Sequence, residues 1–386
     1  MSRNFQHRCK KSTNWYNSTC NDNVLVENQN LKGTIFENEQ GQFEDIDYLM
    51  IVNRDLTAQA NRLAQYRRDK DGLVVKVVDV QTIYNEFSTG KQDISAIRNF
   101  VKYVYDNAST IQNRVKYVNL FGEASVDYKD RLENNNNIVP IFQTLRSFSL
   151  PNSYASDDFI GMMDPNEGAL GNGDLLDIAV GRMLADTPQL AKILVDKVID
   201  YESRVPFGRW RNNFLLISDD VDAEFEFDDI QVQLDELGDD IAENRPNLNV
   251  YKIHSDSYQQ QSSSGGNRYP DVNDDIAEGL ERGAVVTNYF GHGGEDGLAG
   301  EFIVNQTDIL NYANTNRYTT FVTVTCEFTK FDNPLRIAAG ELTLQNPIGG
   351  SVSMITTTRE ITVSLGVQFN GVLAPFLFDY DGLGDS

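Results

Sequence analysis

Nine short runs of β-branched and apolar residues recur between Tyr48 and Thr356, each followed by a polar or helical stretch, and this alternation constrains the fold more than any other feature. The runs cover 48–52, 73–80, 117–121, 178–180, 214–217, 250–253, 284–289, 321–325 and 351–356. Near-continuous apolar runs of this length suit strands buried on both faces. Between them, Ile94, Ile97, Val101 and Val104 form one helical stripe and Ile230, Leu234, Leu237 and Ile241 another, spaced three and four apart. Thr187-Pro188 opens a further helix, a capping residue before proline at the first helical position, with Leu190, Leu194, Val198 and Tyr201 facing inward. Strand, helix, strand in succession predicts an α/β fold of mainly parallel sheets flanked by helices.

Val205-Pro206-Phe207-Gly208 breaks the pattern and divides it into two α/β subdomains, 47–205 and 206–386, behind an irregular Asn-, Gln- and Ser-rich lead-in over 1–46. The stretch 259–266 reads as a surface loop. The far end, where Phe376-Leu377-Phe378 runs into Gly382-Leu383-Gly384-Asp385-Ser386, reads as an interior stretch of a longer chain.

The charge balance narrows the partners. Thirty-three Lys and Arg against 57 Asp and Glu leave a net charge of −24, with no basic cluster to displace counterions from nucleic acid. The longest apolar runs fall far short of the roughly 18 residues of a membrane-spanning helix. Three cysteines, Cys9, Cys20 and Cys326, cannot build a disulfide framework, and at least one stays unpaired. The polar first 30 residues lack the apolar core of a secretory signal.

In open parallel sheets the sites lie beyond the strand C-terminal ends. After the run 284–289 comes Phe290-Gly291-His292-Gly293-Gly294-Glu295-Asp296-Gly297, four glycines within seven residues around one histidine. After the run 321–325 comes Cys326. Either residue alone has an ordinary reading, a solvated turn histidine or a small buried thiol. On neighbouring parallel strands the two would stand together, and an imidazole beside a thiol makes a thiolate nucleophile. Backbone N–H groups of Gly293 and Cys326 are candidate oxyanion donors. Ser218-Asp219-Asp220 supplies a candidate carboxylate to orient the imidazole, although an Asp after a strand is more often a cap or a solvated charge.

Zinc is set aside for want of a ligand set, with His7 and His254 remote in sequence and no paired Cys or His spacing. No cofactor is required, while calcium is a candidate for the acidic loops 219–226 and 164–174. Leu120-Phe121-Gly122-Glu123-Ala124-Ser125 and Ser156-Asp157-Asp158 lack a partner base or nucleophile, so the first unit is assigned to support and substrate shaping. A nucleotide-binding reading ranks last, because no phosphate-cradling glycine motif is in place. A catalytically silent α/β binding module in which Cys326 is simply buried is the main rival.

Asn288-Tyr289-Phe290-Gly291-His292-Gly293 and Thr323-Val324-Thr325-Cys326-Glu327-Phe328 resemble the His and Cys motifs of the gingipain family of cysteine peptidases. Asp177-Ile178-Ala179-Val180-Gly181-Arg182 and Lys197-Val198-Ile199-Asp200-Tyr201-Glu202 extend the resemblance over most of the chain from Tyr48. It implies a caspase-like fold, His292 as base and Cys326 as nucleophile. It also implies Asp220 as the carboxylate holding the histidine, and Asp229 as an acid that reads a substrate side chain. Within the family, the stretches from Gly291 to Gly297 and from Cys326 to Asp332 look most like the surface sortase of the type IX secretion system. That likeness implies protein substrates carrying a C-terminal secretion signal, other components of that system as partners, lipopolysaccharide as acceptor, and a secreted or outer-membrane-surface location.

Overall fold

A computed structural model describes residues 44–145, 152–170, 173–264 and 266–378. Residues 1–43 of the lead-in, with Cys9 and Cys20, and the last eight residues lie outside the described residues.

All nine expected strands form, in two parallel sheets. The first joins β1 (Tyr48–Val52), β2 (Val75–Asp79), β3 (Tyr117–Phe121) and β4 (Ala179–Met183) in the order β2-β1-β3-β4. The second joins β5 (Asn213–Ser218), β6 (Asn249–His254), β7 (Val286–Phe290), β8 (Thr319–Val324) and β9 (Ser351–Ile355) in the order β9-β8-β7-β5-β6.

Strand alternation sends neighbouring residues to opposite faces, so each sheet carries two cores. On the first sheet Leu49 and Ile51 pack against α2 (Val80–Phe87) and α3 (Ile94–Asp106), whereas Met50 and Val52 face α1 (Thr57–Asp71) and α4 (Pro188–Glu202). On the second, Phe214 and Leu216 meet α5 (Gln233–Asn244), while Leu215 and Ile217 meet α6 (Pro270–Arg282). The C-terminal side adds α7 (Gln306–Asn311), α8 (Ala339–Gln345) and α9 (Val363–Phe378).

Thr187 caps α4 by accepting from Leu190 N–H, with Pro188 at the first position, as its sequence predicts. The expected surface loop 259–266 differs: Gln261–Ser263 and Gly266–Arg268 pair as a small antiparallel hairpin. Short polar strands with Ser and Gly lack the apolar alternation that marks a strand in sequence. Among the described residues no helix is long and apolar enough to cross a membrane.

Candidate active site

Two successive strands of the second sheet deliver the histidine and the cysteine. β7 and β8 are adjacent and parallel, with Phe290 opposite Val324 at their C-terminal ends. His292 and Cys326 each follow two residues later, so both leave the sheet from the same rung.

The His292 loop is held from below. Its backbone N–H donates to Asp219 Oδ2 at 2.7 Å, and its carbonyl accepts from Ala299 N–H at 2.9 Å and from the Tyr289 hydroxyl. Gly291 lets the loop approach β5, because a Cβ there would sit 2.3 Å from Asp219 Cβ. Beyond it, Gly293 pairs with Leu298 in a short antiparallel hairpin. The neighbouring rung, His292 with Ala299, carries a ladder bond; Gly293 therefore occupies the non-bonded position and turns its N–H away from the hairpin.

The ring is oriented by Glu226. Its Oε1 lies 3.0 Å from His292 Nε2, and Oε2 accepts from the N–H groups of Asp222 and Ala223 at 2.9 and 2.8 Å. Glu226 is buried at the start of a helical segment that passes through a π-helical turn, Phe227–Val232, into α5. Burial raises its proton affinity, but the His292 bond and the two N–H donors outweigh it and hold the carboxyl below its usual range. For His292, burial disfavours the charged ring. The Glu226 bond and the charges of Asp219, Glu226 and Asp222 reverse that and raise its pKa.

This corrects the expectation for Asp220. Its carboxylate, buried at the end of β5, accepts from the Tyr269 hydroxyl at 3.0 Å and from Gln260 at 3.3 Å, and the ring's carboxylate partner is Glu226 instead. The side chain at the strand end turns towards α6, whereas a residue on the first helical turn reaches across to the ring. Glu226 gave little sequence signal because the position three before it is Ala223, not the Ser or Thr of a capping box. Asp229 lies exposed on the π-helical turn, three residues beyond Glu226.

Cys326 is half-buried, and its thiol donates to the Ile361 carbonyl at 3.7 Å. Among the described residues no hydrogen bond joins its sulfur to the His292 ring. Burial pushes the thiol pKa up, and the charges of Glu360 and Glu327 add to that against the Ile361 bond. Glu327 adopts a left-handed backbone, φ 50°, a conformation costing a non-glycine residue about 1–2 kcal/mol. A strap following β9 braces this turn: Glu327 N–H donates to Arg359 O at 3.2 Å and Thr329 N–H to Thr357 O at 3.2 Å. Arg359 is in turn fixed by the fully buried Asp332, at 2.8 and 2.6 Å. Sequence reading missed this strap, since polar Thr356, Thr357 and Thr358 look like an ordinary strand exit.

Asp219, Asp220 and Glu301 bring their carboxylates within 4.8 Å of one another, behind the histidine loop. Their donor chemistry suits a hard divalent cation. Each already has protein partners, however, and burial pushes both Asp219 and Glu301 towards their protonated forms. The loop 164–174 forms no comparable group among the described residues.

The sequence profile of Peptidase family C25 matches residues 42–386. In fold the chain is similar to the Arg-specific cysteine proteinase gingipain R (RgpB), with 18% identity, 87% of this chain and 68% of that chain covered, and a TM-score of 0.65. The complex of Porphyromonas gingivalis RgpB pro- and mature domains gives 18% identity, 86% and 68% coverage, and a TM-score of 0.64. A fragmentary likeness to dimeric latent PorU from Porphyromonas gingivalis, 33% identical, spans 42% of this chain and 16% of that one, with a TM-score of 0.37. No curated protein sequence matches the chain. Two parallel α/β sheets, a histidine and a cysteine on one rung, and a family profile running from residue 42 to the last residue lead to one conclusion: the chain belongs to peptidase family C25, the gingipain family of cysteine peptidases, and has its caspase-like fold.

Proposed function

We propose that the chain is an endopeptidase in which Cys326 is the nucleophile, His292 the base and Glu226 the carboxylate that holds the imidazole. The observation that carries this reading is the shared rung of β7 and β8. With Nε2–H given to Glu226, Nδ1 is the ring nitrogen left to take the thiol proton. The thiolate attacks the scissile carbonyl carbon, and the oxyanion faces the N–H groups of Gly293 and Cys326. The imidazolium returns its proton to the leaving amine as the C–N bond breaks. Water then cleaves the thioester to an acid, or an amine acceptor takes the acyl group as an amide.

A cavity of about 440 Å³ between Tyr154–Met162 of the first unit and the strap through Ile361 lies beside the thiol's hydrogen-bond partner and serves as the substrate cleft in this reading. Asp229, exposed on the segment that carries Glu226, is proposed to read a basic substrate side chain. The finer proposal is the type IX sortase: removal of a C-terminal signal from exported proteins and transfer of the new end to lipopolysaccharide at the cell surface. It rests on the likeness of the two loop motifs. A thiol-directed peptide-ketone probe tests the chemistry. It should label the chain at Cys326 and fail on Cys326→Ala and His292→Ala. A folded chain that resists labelling is a non-catalytic module.

A further inference from the structure

Helix α8 touches both site loops and the first α/β unit at once. At its start, Ala339 N–H donates to Glu295 O at 2.7 Å and Gly340 N–H to Phe328 O at 2.8 Å. Its first amides thus hold one carbonyl from the histidine loop and one from the cysteine loop. Gly340 allows the approach, since a Cβ there would lie 1.9 Å from Thr329 Oγ1.

At the far end, Lys197 of α4 donates from Nζ to the carbonyls of Thr343, Leu344, Asn346 and Gly349, at 3.1, 2.9, 3.2 and 2.8 Å. Lys197 is 2% exposed and has the Tyr318 ring 4.9 Å away. A buried ammonium without a carboxylate partner is costly. Burial pulls its pKa down to about 7, and its acceptors are the carbonyls at the end of α8 and just beyond it.

A third contact comes from the loop after β3. Gln345 Nε2 donates to Glu123 Oε1 at 3.1 Å, and Glu341, one turn earlier on the same face, caps Ala338 N–H at 2.7 Å. Glu123 and Glu341 are 3% and 2% exposed. Arg182 and Asp186 face Glu123, Asp186 and Glu123 itself face Glu341, and Asp332, neutralised by Arg359, acts on Glu341 from the second unit. Glu123 also accepts from Asn136, whose own Oδ1 is buried without a partner.

We propose that α8 couples the first α/β unit to the active site, with Lys197 and Glu123 as positioning residues that set the histidine and cysteine loops through it. The inference rests on the peptidase reading for its consequence in catalysis, and on the hydrogen bonds above for the coupling itself. In Lys197→Met and Glu123→Ala, loops 290–299 and 326–333, remote from both substitutions in sequence, should lose amide protection together, by about tenfold in exchange rate. Glu123→Gln should keep it, because its amide can donate to Asn136 Oδ1 once that side chain flips. Peptide-resolved alkylation of Cys326 by iodoacetamide, with and without His292→Ala, reads the consequence: the His292-dependent part should vanish in Lys197→Met and survive in Glu123→Gln. Exchange changes confined to 338–349 in a folded variant would overturn the coupling; should Lys197→Met fail to fold, the two Glu123 variants decide by the same measurement. If exchange spreads to both loops but wild-type alkylation ignores His292, the coupling stands and the peptidase reading falls.

Discussion

Glu226 gives one carboxylate oxygen to the ring of His292 and the other to the N–H groups of Asp222 and Ala223, so the residue that starts a helix also decides which ring nitrogen is left free. Replacing it with Gln should leave the helix start partly capped but remove the charge that raises the ring's pKa. The acid limb of the pH–rate profile should move to lower pH, and kcat/KM should fall by about 10². A profile unchanged in both respects would separate Glu226 from the chemistry.

Cys326 and His292 both have raised pKa values, the thiol through burial and neighbouring Glu360 and Glu327, the ring through Glu226 and Asp219 in spite of burial. The free thiolate and the free base both become more abundant as pH rises. Iodoacetamide alkylation of Cys326 should therefore climb from pH 6 through pH 9. Glu327→Gln should shift the curve to lower pH, because it removes one of the two charges opposing the thiolate.

Arg359 neutralises Asp332 in a pair where the carboxylate is fully buried. Arg359→Ala leaves that charge unmatched and should cost about 3–5 kcal/mol. Urea denaturation measures the loss. The strap that supports Glu327 and Thr329 should loosen at the same time.

Burial pushes Glu123 up to about 7 and Glu341 to about 8, each further opposed by neighbouring acidic charge. A carboxyl with a raised folded-state pKa binds more protons folded than unfolded. Its contribution is complete below about 4.5 and is lost as pH rises through 7 and 8. Thermal unfolding should show Tm declining between pH 5 and pH 8, with Glu123→Gln flattening the decline.

Gly291 abuts Asp219, with room for no side chain. Gly291→Ala should push the histidine loop off β5 at a cost of about 1–3 kcal/mol and abolish probe labelling of Cys326, since the His292 N–H then loses its acceptor. Retained labelling in the folded variant would show that the loop is held by other contacts.

The strands were legible because residues such as Leu215, Leu216 and Ile217 are buried on both faces and leave an unbroken apolar run. His292 and Cys326 were legible because strand ends are where side chains escape the sheet. Glu226 was not, since a carboxylate among 57 is identified by where it points and not by its neighbours in sequence. Asp220 drew attention for its position at a strand end, yet Tyr269, 49 residues later, determines its direction. Lys197 sits in a stripe that reads as an ordinary helix face; its four carbonyl partners, 146 to 152 residues away, emerge only when the two sheets are assembled.

Because β7 and β8 end opposite one another, the two backbones that carry His292 and Cys326 leave the sheet about 4.8 Å apart, an interval set by the ladder and not by the composition of either turn. Amides and carbonyls set that interval, and they are common to every residue type except proline's missing donor. The acids, walls and lengths of the two turns can then differ widely while the strands that bear them keep their pitch. An identity of 18% alongside a shared architecture is what such main-chain spacing permits.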